Sequence, residues 1–182
     1  MCEISLVDID GTSCEPVGGL SETVLIAPRK DFTAVIDPPD DLELTDEEVI
    51  TIEGPHTFPI SKGFTEIVGV QETGTITSTM IGEIARQLFQ NEAVITVSGS
   101  KAALLGFLRK AKNLRFIALL EEVGSGQLRQ LGSSRFPARF SGIVHAIEAA
   151  MEGNNSVTLT MLDKQKYPAP IYTGAVTRKP AV

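Results

Sequence analysis

The sequence predicts a mainly β fold of the α+β class. It reads as an antiparallel β-sandwich or barrel of about eight to ten short strands with one flanking α-helix over about residues 100–112. Three observations predict it. β-branched and apolar residues recur in short runs. Turn signals rich in Gly, Pro and Asn separate most of those runs. Only one segment, Lys101–Lys112, carries a convincing helical stripe, and strands joined by tight turns favour antiparallel layers over βαβ units.

Glu3–Ile9 alternates and reads as a short strand, followed by a turn-rich stretch from Gly11 to Gly19. Thr23–Ala27 is a β-branched apolar run stopped by Pro28. Asp31–Ile36 reads as a short strand or an extended segment. Asp37-Pro38-Pro39-Asp40-Asp41 excludes regular structure, because adjacent prolines remove donors and fix φ. Val49–Glu53 reads as a short strand and Gly54-Pro55 as a turn. Phe64–Gln71 alternates, as a strand with one face in the core does, and Thr75–Ile81 is a second strand rich in Thr and Ile. Glu83–Gln90 suits either a helical stripe or a strand face, and the balance falls on strand. Ala93–Ser98 is a strand.

The helix follows. Ser98 or Ser100 offers an N-cap oxygen, and Ala103, Leu104, Phe107, Leu108 and Ala111 share one face. Arg109, Lys110 and Lys112 complement the dipole at its C-terminal end, and Asn113 stops it. Leu114–Val123 is a strong strand, Gly124-Ser125-Gly126 a hairpin turn, and Gln127–Leu131 the return. Phe136–Phe140 is a strand in which Pro137 demands an edge or a first position. Ile143–Met151 fits helix or strand. Gly153-Asn154-Asn155 is a turn and Ser156–Leu162 a clear strand. From Tyr167 onward Pro168, Pro170 and Pro180 point to an extended, partly exposed tail. No internal repeat is visible.

The length of 182 residues suits one domain, residues 1–182, large enough to close a sizeable core. The formal charge of -7 is unevenly placed: residues 1–60 hold 14 acids against Arg29 and Lys30, a net of -12. Residues 61–182 hold 9 acids against 14 Lys and Arg, a net of +5. Opposite poles suit head-to-tail contact between copies. Overall acidity and the lack of a helical Lys/Arg stripe argue against groove binding to DNA. With no Trp and only Tyr167 and Tyr172, stacking platforms for single strands are scarce. Cys2 and Cys14 read as ordinary reduced thiols, and with His56 and His145 distant they form no zinc set. Neither a secretory leader nor an apolar run of membrane-helix length is visible, so synthesis in a cytoplasm is expected, with no membrane partner.

Chemistry is sparse. Asp8-Ile9-Asp10-Gly11-Thr12 resembles the DxDGT signature of haloacid-dehalogenase-type phosphatases, in which Asp8 would be nucleophile, Asp10 general acid and base, and magnesium the bridge. That family needs a parallel sheet with repeated crossover helices, and this chain offers one helix, so an Asp-rich turn after a strand is the simpler reading. Gly11 comes too early for an EF-hand loop. No Gly-x-Ser-x-Gly elbow or phosphate-cradling loop occurs. His56 reads as a surface turn residue and His145 as a half-buried, satisfied histidine. The acidic run Asp37, Asp40, Asp41, Glu43, Asp46, Glu47 and Glu48 reads as a solvated loop. The protein is expected not to be an enzyme and to hold no cofactor or metal.

Residues 63–174 carry a family resemblance. Thr-rich strands lead to Ser98-Gly99, then come the helix Lys101–Lys112 and the strand Leu114–Glu121. A Gly hairpin leads to Leu131-Gly132, and Phe136-Pro137-Ala138-Arg139-Phe140-Ser141-Gly142 follows. Ser156–Leu162 and Pro170-Ile171-Tyr172-Thr173-Gly174 close the segment. This order is similar to the tail tube proteins of long-tailed phages and related ring subunits, including those of Bacteroidetes phages. The resemblance implies a structural virion protein made in a bacterial host and carried in the tail. Its partners would be copies of itself in stacked, usually hexameric rings, other tail proteins, and DNA as non-specific passing cargo. A ring connector, tail terminator or capsid decoration protein is the alternative. Residues 63–174 would be the tail-tube-like core, 1–62 an acidic segment with an inter-ring arm or loop, and 175–182 an extended tail. The acids from Asp37 to Glu48 would then lie at the lumen or at the contact between rings.

Overall fold

The computed structural model describes residues 18–150 and 153–180. Ten strands and one helix follow in order: β1 (Leu20–Pro28), β2 (Thr51–Ile52), β3 (Thr65–Val68), β4 (Thr75–Ile81), β5 (Leu88–Ser98), α1 (Ala102–Ala111), β6 (Arg115–Glu122), β7 (Leu128–Leu131), β8 (Ala138–Ile147), β9 (Asn155–Gln165) and β10 (Ile171–Tyr172). The mainly β, one-helix class predicted from sequence is the class found. The Glu3–Ile9 strand, the DxDGT residues and both cysteines lie outside the described residues.

One sheet holds every strand, in the order β2-β10-β7-β6-β8-β9-β5-β4, with β1 on the other side of β6 and β3 beyond it. The sheet turns a corner between β6 and β8, which share only the pairs Arg115↔Arg139 and Phe116↔Ala138. From there β8 runs along β9 instead, with a bulge between Phe140 and Gly142 that bends it. The result is a half-barrel in which β8-β9-β5-β4 folds back over β1 and β6.

Burial explains why β1 and β6 read as unbroken apolar runs. Val24–Ala27 and Phe116–Leu120 are buried throughout, so both faces of these strands are covered. Val24, Ile26, Phe116, Ala118 and Leu120 face the main core with Ala93, Ile95, Val157, Leu159, Met161 and the helix residues Leu108 and Ala111. The alternate residues Leu25, Ala27, Ile117 and Leu119 face a second core, capped by Phe32, Ile52, Phe64 and Tyr172. The chain between β1 and β3 therefore lies as a cover on the outside of β1 and β6.

Several expectations need correction. The sheet is not wholly antiparallel: β10 pairs antiparallel with β7 on one side and in parallel with β2 on the other. Neither Ser98 nor Ser100 caps α1. Lys101 stands at the N-cap without a side-chain hydrogen bond, and the Ser100 hydroxyl instead accepts from the Asn155 amide at 3.3 Å. Glu83–Gln90 is strand only from Leu88; Gly82 (φ +104°) and Ala85 (φ +68°) turn the chain in a loop incompatible with a strand. Val49 belongs to a 3-10 turn, and only Thr51–Ile52 is strand, because the Val49 N–H is drawn to the Thr45 carbonyl at 3.1 Å. β3 does not bury one alternating face. Phe64 reaches one core and Ile67 the other, while Thr65, Glu66 and Val68 are exposed on a strand paired with β1 alone. The open choice at Ile143–Met151 resolves to strand through Ile147. Ala169, Pro170 and Tyr172 of the proline-rich tail are buried. Its last part is extended along Phe64, whose N–H donates to the Thr177 carbonyl at 2.9 Å.

Candidate assembly surface

Among the described residues no strand pairs with the outer edge of β4 or with that of Gly142–Ile147 of β8, and the outward face of β8-β9-β5-β4 is half-buried to exposed apart from the buried Leu162. Register places residues on the outward face in rows: Val144 with Thr158, then Gly142 with Thr160, Val94 and Thr75, then Leu162 with Glu92 and Thr77, then Lys164 with Gln90 and Thr79. Threonine and valine dominate because β-branched side chains fit a pleated surface. Along the free edges, β4 (Thr-Ile-Thr-Ser-Thr-Met-Ile) carries no charge, and Gly142–Ile147 of β8 carries only the exposed His145. That histidine is not half-buried as expected, since its strand overhangs the core there. Isolated β proteins usually blunt such edges with lysine, proline or a covering loop.

Charge is sorted along the strand direction. Where β6 begins, Arg115, Arg135, Phe136, Arg139 and Lys164 line a depression of about 430 Å³. An adjoining one of about 550 Å³ adds Arg29, Lys30 and Asn113. Where β6 ends, Glu121 and Glu122 lie close to the start of β1, which carries Glu22, and Glu53 directly follows β2 on the same side. Poles therefore exist, but they follow the strand axis and not the division between the first 60 residues and the rest.

The acidic run does not gather into one site. Asp37 is half-buried and accepts from the Ser134 N–H at 3.0 Å and from the Ser134 hydroxyl. Asp40 pairs with Lys166 at 3.1 Å, both exposed. Asp41 accepts from the Glu43 N–H at 3.0 Å. Asp46 is exposed, and Glu47 accepts the Thr51 hydroxyl on its carbonyl at 2.7 Å. Glu48 accepts from the N–H and hydroxyl of Thr45, and these hydrogen bonds hold its carboxyl below the usual range. Glu47, Glu48 and Glu53 line a shallow depression of about 230 Å³ with Thr51, Gln127, Ile171 and Thr173. Among the described residues no cluster of His, Cys, Asp or Glu is arranged to hold a metal ion.

A buried polar network ties the outer cover to the sheet, and sequence reading missed it. His56 is buried, not a surface turn residue. Its Nδ1 accepts from the Ile36 N–H at 3.1 Å, so Nε2 carries the proton and donates to Gln130 Oε1 at 2.8 Å. Gln130 in turn donates to the Gly132 carbonyl at 2.9 Å. The Gly132 N–H donates to Asp163, which also accepts from Gln165 at 3.3 Å. Burial pushes the His56 pKa down and the Asp163 pKa up, and Asp163 Oδ1 has no partner. Burial likewise raises Tyr167 and Tyr172. A signal for Asp163 and Gln165 existed: both fall in phase with the inward residues Val157, Leu159 and Met161. The network is enclosed and offers no nucleophile beside a base, so its chemistry is that of a structural clamp.

No helix among the described residues is long and apolar enough to cross a membrane. No family model, curated protein or solved structure matches the chain.

Proposed function

We propose that the protein is a structural virion subunit, without catalytic activity, that closes into rings through the free edges of β8-β9-β5-β4. In this reading it acts as a tail tube subunit of a long-tailed phage, made in the host cytoplasm and carried in the virion tail. One observation carries the reading: among the described residues, the β8-β9-β5-β4 part of the sheet ends in two edges, β4 and the second half of β8, that no other strand pairs with and that hold no Lys, Arg, Asp or Glu. Each step from β4 to β5, β9 and β8 is antiparallel, so β4 and β8 run in opposite directions. Rotation about an axis along the strands preserves direction. The β8 of one copy would therefore meet the β4 of the next in antiparallel pairing, and a ring of copies would remove every such edge.

The face turned to the channel would be the Thr-rich one, with Glu92, Arg139 and Lys164 as its few charges. DNA passing such a surface finds little to hold it. The run Asp37–Glu48 adjoins the cover over β1 and β6, across the main core from that face. It would then flank the tube or the contact between rings and not line the channel. The alternative of a connector or terminator would keep the ring and lose stacking.

The test is electron microscopy and sedimentation of the purified protein over a wide concentration range, with Val144→Pro and His145→Pro beside it. Backbone N–H groups of adjacent strand residues point to opposite neighbours, so one of the two prolines strikes the free edge and spares the β9 ladder. Rings in the parent, lost in a variant that still melts cooperatively, are expected. A parent that stays monomeric at every concentration, or rings indifferent to both prolines, would sink the proposal.

A further inference from the structure

We infer that the basic corner where β6 begins binds the acidic end of a second copy, so that copies stack with β6 pointing the same way in each. The inference deepens the ring reading and rests on it only for what is stacked. Arg115 and Arg139 are direct cross-strand partners, and both are exposed. Like charges placed opposite each other on a sheet repel, so the fold alone gains nothing from this pair. Neither arginine, nor Arg29, Lys30, Arg135 or Lys164 around it, has a carboxylate within salt-bridge distance among the described residues.

Acids do occur at this end, but they are engaged elsewhere. Asp31 pairs with Lys62, Asp37 binds Ser134, and Asp40 pairs with Lys166. Asp163 borders the same depression, yet it is buried and turned to the Gly132 N–H and Gln165. The corner is thus a shaped surface whose cations make no ion pair among the described residues.

The matching surface lies at the far end of the same strands. Glu22, Glu53 and Glu121 are exposed there, whereas Arg129, a cation at that end, is already bound to Glu122 at 2.6 Å. β6 spans eight residues, which separates the poles by roughly 25 Å at the usual rise of a strand. A molecule with a pole at each end of its strands cannot satisfy itself. It can satisfy a copy translated along that axis, and such a contact repeats without closing. Carboxylates of a second copy are therefore the occupant, and complementary charge would set the register of stacking.

Charge exchange tests this. The first variant, R115E/R139E, makes the corner acidic; the second, E53R/E121R, makes the far end basic. Each alone is expected to keep rings but to shorten stacks, with apparent stacking affinity down at least about tenfold by loss of close charge pairs. An equal mixture of the two should stack again, because each variant now presents the complement of the other. The fourfold variant, with both poles reversed, should stack by itself. In the parent, stacks should shorten as salt is raised and the Debye length falls. Single variants that stack like the parent, or a mixture that fails to recover while both variants stay folded and ring-forming, would overturn the inference. Absence of rings in the parent would instead refute the ring reading, and salt-dependent, pole-dependent association could still be scored by sedimentation.

Discussion

The imidazole of His56 lies against the phenol ring of Tyr172, with centroids 4.6 Å apart and planes 22° from parallel. The Tyr172 hydroxyl accepts from the His56 backbone N–H at 3.1 Å and donates to the Ala175 carbonyl at 3.0 Å. Together with Gln130 and Ile36, this pair joins the cover, β7 and the C-terminal strand at one point. His56→Phe keeps a ring in place but leaves the Ile36 N–H and Gln130 Oε1 without partners. A loss of about 2–4 kcal/mol is expected, since each orphaned buried group costs about 1–3.

The same residue sets a pH dependence. Burial lowers the His56 pKa in the folded state, so the native protein resists a proton that the unfolded chain takes up near the ordinary value of 6.5. Stability from this group is complete above that pH and falls as the pH drops below it. Denaturant titrations of the parent and of His56→Phe from pH 8 downward should show a steeper decline below about 6.5 in the parent. Parallel curves would mean that the imidazole is not neutral in the fold.

Asp163 works in the opposite sense. Its folded pKa is raised by burial, so stability linked to it is complete below the unfolded value near 3.8 and is lost as the pH rises through the folded one. Asp163→Asn keeps an acceptor for the Gly132 N–H and removes the buried charge. The variant should be at least as stable as the parent at pH 7, with that advantage shrinking on acidification. Thermal melts at both pH values measure this, and a variant far weaker than the parent at neutral pH would contradict it.

What was legible in the sequence follows from the range of the interactions. β4 has the bounds read from its run of Thr and Ile, Thr75–Ile81, because β-branched side chains favour a pleated, half-exposed strand whatever lies far away in the chain. β1 and β6 were visible for the complementary reason: burial on both faces demands an unbroken apolar run. His56 was misread because its partners, Gln130 and Tyr172, lie 74 and 116 residues away. Its neighbours in sequence, Gly54 and Pro55, signal only a turn. Ser100 carries a good cap oxygen, but Asn155 from another strand claims it first. The charge asymmetry was legible as a count and not as a direction, because its geometry depends on which strand ends share a side of the sheet.

Gly132 sits where the chain leaves β7 with φ +88°, and a Cβ there would stand 2.7 Å from the Ala138 nitrogen and 2.8 Å from the Phe116 carbonyl oxygen. Both are backbone atoms at the corner where β6 meets β8, so neither can swing aside. Gly132→Ala should therefore cost about 2–4 kcal/mol or prevent folding, combining left-handed strain with a clash. Soluble yield and melting temperature beside Gly126→Ala provide the check. Gly126 also has positive φ (+69°) but open space around it, so the difference between the two isolates the clash.

Among the acids from Asp37 to Glu48, only Asp37 is half-buried with a partner far away in the chain. Its carboxylate accepts from the Ser134 N–H and hydroxyl across 97 residues, holding the cover against the loop before β8. Asp37→Ala leaves that N–H without its acceptor and should cost about 1–3 kcal/mol. Glu43→Ala and Asp46→Ala change exposed residues and should stay within about 0.5 kcal/mol of the parent. Chemical denaturation of the three variants at one pH separates a fold-holding acid from solvated ones. Equal effects at all three positions would show that the run acts as a charged block, and the specific tie to Ser134 would lose its support.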